Sequence, residues 1–290
     1  MTPAGRRLSA ACALFALAAV LAGCGVSGTI DPVAAAATKS ANAGTARMTF
    51  SLAVSSPLLA AGGELTMSGS GYVSPSGSDL SFDLGQLLGA SGAPAGTDGT
   101  MREIFVRESG DAVVYLRLGL LDPYLGGKHW VRLDLSTAGK KLGLDIDKLL
   151  AGQTGTDPGQ WLGMLRATSG SVDDLGTETV AGVATTHYRA TVDLEKAAKV
   201  KGVSIDQLLK LAGQGMPLSV PEDVWVDSAG LVWQLRVSYR LKSNGTPMRM
   251  AMTIGLGDYG TQETITAPPA ADVVDASQLA LGGGTKTLTP

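Results

Sequence analysis

Two histidines and two cysteines are the whole supply of nitrogen and sulfur metal ligands in this chain. A structural zinc site takes four such ligands, or three and an open position, at short spacings. His129 and His187 lie far apart, and Cys12 falls inside an N-terminal apolar run. Each histidine stands next to an aromatic residue, Trp130 or Tyr188, in an alternating stretch, so both read as histidines on a strand surface. Asp145-Ile146-Asp147 lacks the glycine and distal glutamate of a calcium loop and reads better as a helix cap. No Gly-x-Ser-x-Gly or Ser-x-x-Lys signature offers a nucleophile. Asp173-Asp174 could pose as a carboxylate pair, but adjacent strand residues point to opposite faces, and a turn into Leu175-Gly176 is expected instead. Gly255-Leu256-Gly257-Asp258-Tyr259-Gly260 matches the dinucleotide fingerprint in letters. The fingerprint works only where a helix follows, and here an extended stretch runs into Pro268-Pro269. No catalytic set, metal or cofactor is expected.

One reactive group stands out. Arg6 and Arg7 precede an apolar run from Leu8 to Val20, too short to span a bilayer, which ends in Leu21-Ala22-Gly23-Cys24. The stretch resembles a bacterial lipobox, in which the leader is cut before the cysteine and the thiol is acylated. Residues 1–23 are then a signal peptide and Cys24 is the lipidation site. A thioether-linked diacylglycerol supplies more than one chain, and a single chain anchors only marginally. The expected location is the outer face of the cytoplasmic membrane. With Cys12 removed, no intramolecular disulfide can form, so a core must stabilise the fold.

The elements that follow are mostly strands. Period-two alternation marks Met48/Phe50/Leu52/Val54, then Leu65/Met67, Val114/Leu116/Leu118 and Leu231 to Leu241. Asn244-Gly245 between two alternating runs is a strong hairpin signal, because both central residues need positive φ. The pattern predicts an α+β protein with about ten or eleven strands, mostly antiparallel. Residues 24–37 read as a flexible tether, 38–46 as a short helix, 38–269 as the domain and 270–290 as a loosely ordered tail. Helical spacing is confined to inserts at 145–152, 158–168, 194–200 and 205–211. Asp134-Leu135 with Gly143, Ile146-Asp147 and Leu149-Leu150 repeats, without a gap, as Asp193-Leu194 with Gly202, Ile205-Asp206 and Leu208-Leu209. Both copies read as a strand ending in Asp-Leu, a basic connector and a Leu-rich helix.

Charged residues make up 17% of the chain and the net charge is −3, which excludes a basic nucleic-acid surface. What is left is apolar surface. Leu142, Leu144, Ile146, Leu149 and Leu150 in the first insert, Trp161 and Leu165 in the second, and Ile205, Leu208 and Leu209 in the last must bury against something. Met248, Met250 and Met252 are soft side chains suited to an irregular cavity. These residues are the candidate cavity lining; the alternative is a dry core.

Three stretches carry a family resemblance: residues 124–135 (Tyr124-Leu125-Gly126-Gly127-Lys128-His129-Trp130), residues 176–189 and residues 218–227 with Gly230-Leu231-Val232. With the lipobox, they resemble actinobacterial lipoproteins of the LppX/LprAFG type, whose fold is like that of the lipoprotein carrier LolA. The resemblance implies a strongly curved antiparallel half-barrel with helices over its concave face. It further implies a non-enzymatic protein that carries or presents an acylated lipid or glycolipid and works with the membrane and an envelope protein or transporter. The competing expectation is a ligand-free interaction or sensor module that docks on a membrane or extracytoplasmic regulatory protein.

Overall fold

The computed structural model describes residues 31–57, 59, 63–141, 172–196, 205, 206, 218–243 and 246–279. Twelve strands form one sheet: β1 (Ala46–Ser55), β2 (Glu64–Ser74), β3 (Gly77–Asp83), β4 (Thr100–Glu108), β5 (Asp111–Leu118), β6 (Trp130–Asp134), β7 (Asp173–Val180), β8 (Val183–Asp193), β9 (Ser219–Asp227), β10 (Val232–Ser243), β11 (Thr246–Gly257) and β12 (Val273–Asp275). Their order is β12-β6-β5-β4-β3-β2-β1-β11-β10-β9-β8-β7. The sheet is curved and unclosed, and every ladder is antiparallel except that of β12 with β6. The strand β1 joins two meanders: it pairs with β2 on one side and with β11 on the other.

Alternation divides each strand between two faces. Met48, Phe50, Leu52 and Val54 of β1 face the same way as Leu256, Ile254, Met252 and Met250 of β11, their register partners. Gly69 lies between two aromatic rings on this apolar face. Phe50 and Phe82 meet edge to face over it, centroids 6.0 Å apart. A Cβ on Gly69 would come within 2.6 Å of the Phe82 ring, so glycine is required there.

The helix α1 (Pro32–Ala41) buries Val33, Ala36 and Ala37 in the same core as Val226, Val232 and Leu256. Ser40 Oγ accepts the Val232 N–H at 2.8 Å and pins the helix to β10. This corrects the expected tether at 24–37 and helix at 38–46. Pro32 at the first helical turn loses no bond through its missing N–H, and the alanine run after it has the highest helix propensity.

The expected tail from 270 is likewise corrected over its described part. A 3-10 turn at Ala270–Asp272 leads into β12, three residues too short to show as periodicity, and brings the strand total above the expected ten or eleven. Polar contacts fix it to β6. His129 Nδ1 lies 2.7 Å from Asp272, Lys128 Nζ donates to the Val273 carbonyl, and Arg132 bridges Glu108 and Asp275. The extended segment before it brings Ile265 onto Ile104, Val113, Tyr115 and Trp130, on the face opposite the apolar one.

Two short helices were not expected, α2 (Gly85–Ala90) and α3 (Leu135–Lys141). The second starts where a basic connector was read. The repeat explains why. Asp134 Oδ1 accepts the Thr137 N–H at 2.8 Å, and Asp193 Oδ1 accepts the Lys196 N–H at 3.0 Å. The same aspartate caps the same position of each insert, satisfying one amide that helix geometry leaves free. Leu135 and Leu194 each pack against the apolar face at their own end of the sheet. Residues 194–196 and 205–206 are helical as expected; the expected helices at 145–152 and 158–168 lie outside the described residues.

Smaller expectations resolve locally. Asp173 and Asp174 begin β7 instead of a turn, with a bulge before Thr177 where Gly176 takes φ 98°. The expected hairpin pairs β10 with β11 down to Ser243 opposite Thr246, and Asn244 and Gly245 between them lie outside the described residues. Residues 261–269 after the glycine motif are not helical, as the sequence predicts.

Candidate functional site

Burial along the apolar face is graded. In β11, Ile254 is 1% exposed and Leu256 is buried, whereas Met252, Met250 and Met248 are half-buried. In β10, Leu235 and Val237 are buried and Tyr239 and Leu241 are half-buried. β1 passes from buried Met48 to half-buried Leu52 and Val54, and β2 from buried Val73 to half-buried Met67 and Leu65. The registers place all the half-buried ends together, at the end of the strands where β1, β3, β5 and β10 finish. The result is an apolar floor, closed under α1 at one end and partly open at the other. Tyr239, whose hydroxyl burial pushes above its ordinary range, donates to Met250 Sδ at 3.4 Å across this floor.

The sheet also forks at this end. The β9–β10 ladder runs from Val226–Val232 to Glu222–Val237 and stops there. Beyond it, β9 continues against β8 to Ser219 and β10 continues against β11 to Ser243. Pro221, which has no N–H to give, is the first residue past the last β9–β10 pair. Glu222 sits at the base of this fork. It faces the apolar side with its partners Ala190 and Val237, between Val220 and Val224 along its own strand. It is 4% exposed, and Oε2 has no hydrogen-bond partner. Burial raises its carboxyl from 4.5 to about 8.

The opposite face of the same strands is polar and fully connected. His187 Nδ1 lies 2.9 Å from Glu178 Oε1, and its Nε2 lies 3.1 Å from Asp223 Oδ1. Its ring stacks on Trp225 with centroids 4.2 Å apart, and Arg236 covers the other side of the indole. Trp225 Nε1 donates to Glu178 Oε2 at 2.8 Å, and Arg189 donates to Asp223 at 2.8 Å. The indole N–H, then His187, hold the Glu178 carboxyl below its usual range. The reading of His187 as a strand-surface residue is corrected, because it is only 8% exposed. The cause is the indole of its register partner, which covers it. His129 precedes β6 instead of lying in a strand. Both His187 nitrogens are engaged by carboxylates, so the ring is held within this network.

Of the sequence-expected lining, Met248, Met250 and Met252 lie on the open floor, and Ile205 packs on the edge of the core. Leu142, Leu144, Ile146, Leu149, Leu150, Trp161, Leu165, Leu208, Leu209 and the acylation candidate Cys24 lie outside the described residues. Sequence reasoning missed Glu222, although it stands in phase with Val220, Val224 and Val226 in an otherwise apolar stripe. An acidic residue in that phase was the available signal.

Solved structures similar to this chain include LprF from Mycobacterium bovis, with a TM-score of 0.41 and 12% identity over 82% of this chain and 95% of that one. Lipoprotein LppX from Mycobacterium tuberculosis is similar with a TM-score of 0.41 and 14% identity, over 81% of this chain and 100% of that one. The chain is similar to lipoproteins of the LppX/LprF type. A curated relative from Streptomyces griseus, described as an uncharacterized 31.2 kDa protein in the rplA-rplJ intergenic region, is 29% identical over 206 residues. That match spans 69% of this chain and 64% of the relative's length. No family model matches the sequence.

Proposed function

We propose that this protein is a non-enzymatic, lipid-anchored lipoprotein of the cell envelope that binds the acyl chains of a lipid or glycolipid and carries or presents them. The observation that carries the reading is the graded burial of the apolar face. Leu52, Val54, Leu65, Tyr239, Met248 and Met250 stay half-buried side by side, where a dry core would close over them. Acyl chains are the matching occupant. Each buried CH₂ is worth about 0.8 kcal/mol, so chains of ordinary length outweigh an association cost of about 4–15 kcal/mol. The methionines suit a ligand of variable shape.

In this reading the helical inserts begun by Leu135 and Leu194 complete the chamber. Leu142, Leu144, Ile146, Leu149 and Leu150, Trp161 and Leu165, and Leu208 and Leu209 line it with Ile205 and the methionines. The anchor is Cys24, acylated after removal of residues 1–23, and the protein works from the outer face of the cytoplasmic membrane.

Native mass spectrometry of the protein purified with Cys24→Ala tests the reading. Co-purified lipid that leaves on organic extraction is the expected result. A lipid-free protein that also takes up no added acyl probe would overturn it in favour of a docking module. The Cys24→Ala protein is also expected in the soluble fraction without palmitate label, and its continued labelling would refute the anchor.

A further inference from the structure

Glu222 is the one carboxylate among the described residues that is buried on the apolar face with an oxygen lacking any partner. Leaving such a group unpaired is costly, and buried polar groups are ordinarily paired. Its neighbours among the described residues supply no donor to Oε2. Ala190 and Val237 flank it across the strands, and Val220 and Val224 flank it along β9. Tyr188 and Tyr239 are the nearest titratable side chains on that face by register, one strand away on either side, and the Tyr239 hydroxyl is already given to Met250.

Its position is the second observation. The registers place Glu222 in one row with Val237, Met252, Leu52 and Met67. That row is where the closed end of the apolar floor gives way to the half-buried end. It is also the last row before β9 and β10 separate. A group here meets whatever lies on the floor and enters between the two strands.

We propose that Glu222 is a specificity residue for the ligand, and that its carboxyl bonds to an oxygen of an ester-linked or hydroxylated acyl lipid lying at the base of the β9–β10 fork. The proposal rests on the reading of the apolar face as a lipid site. At neutral pH the buried group is predominantly the neutral acid, an O–H donor with an acceptor oxygen beside it. An ester carbonyl or a hydroxyl satisfies it, and a plain hydrocarbon does not. The site therefore discriminates by the penalty of an unpaired buried acid, not by added attraction alone.

The test is displacement of Nile red from the delipidated full-length protein by monopalmitoylglycerol and by hexadecane. Wild type should prefer monopalmitoylglycerol about tenfold more strongly than Glu222→Leu does, the value of one hydrogen bond. Glu222→Gln, still able to donate and accept, should keep the preference. Equal preference in wild type and Glu222→Leu would overturn the assignment while leaving the lipid site intact. Failure of both probes to displace Nile red from folded wild type would overturn the lipid reading and the assignment with it. Thermal unfolding of each variant separates loss of binding from loss of fold, and Glu222→Leu should melt no lower than wild type.

Discussion

Glu222 and Asp223 are adjacent acids on one strand, and their surroundings are opposite. Asp223 faces the polar side, where Arg189 donates to it and His187 Nε2 lies within hydrogen-bond distance. Glu222 faces the apolar side and has no donor on Oε2. The pleat alone separates them. The polar side is finished by the chain itself, each group answered by another, and this makes it structural. The apolar side has an unanswered acid where burial passes from complete to partial. Unfinished chemistry, not the presence of charged groups, is what distinguishes the two faces here.

The largest effect should come from dismantling the finished side. Trp225 stacks on His187, donates to Glu178 and is nearly fully buried, so Trp225→Ala should cost about 3–5 kcal/mol in urea unfolding. A cost near that of a surface substitution would mean the network contributes little. The next contrast lies within one strand. Ile254→Ala should cost about 2–5 kcal/mol, and Met250→Ala, on the same face but half-buried, less than about 1.5 kcal/mol. Equal losses would mean that the floor is closed.

Glu222 supplies a smaller effect with a distinctive sign. Its folded-state carboxyl, raised by burial to about 8, holds a proton more tightly than the unfolded chain does near 4.5. The stability it contributes is therefore complete below about pH 4.5 and is lost as pH rises through about 8. Glu222→Gln should flatten that decline in denaturant melts taken across the window. A profile parallel to wild type would show the acid to be solvated. The smallest change is expected from Arg189→Gln. The residue is exposed and its ion pair with Asp223 sits at the surface, so the loss should be about 0.2–1 kcal/mol and should shrink further in high salt.

Much of the sheet was legible because period-two alternation is local. Met48 to Val54 and Leu235 to Leu241 need no knowledge of their partners to be read as strands. What failed depended on distant contacts. The three residues of β12 are a strand only because β6 lies beside them, and His187 is covered only because Trp225 lies beside it in the sheet. α1 was shifted because an alanine run, although the best helix former, shows no apolar–polar period to mark its buried face. Of the site, the methionines were legible as an apolar stripe. Glu222 was marked only by its apolar phase with Val220, Val224 and Val226, and its place at the base of the fork shows only once the ladder beside it is seen to stop.

The pairing of β1 with β11 also bears on how such a chain can mature. Met48 meets Leu256, a contact of very long sequence separation, while β1 to β6 pair only with sequence neighbours and the late-arriving β11 and β12. High contact order slows folding. A chain leaving a translocation channel N-terminus first would hold β1 with a bare edge, and α1 without the β9 and β10 surface it rests on, until residues near 256 emerge. The first meander can zip early, but the core beneath α1 must wait for β9, β10 and β11. Vectorial delivery would thus keep the apolar floor unassembled until almost all of the described chain had crossed, and a holding chaperone would have most to protect at the unpaired edge of β1.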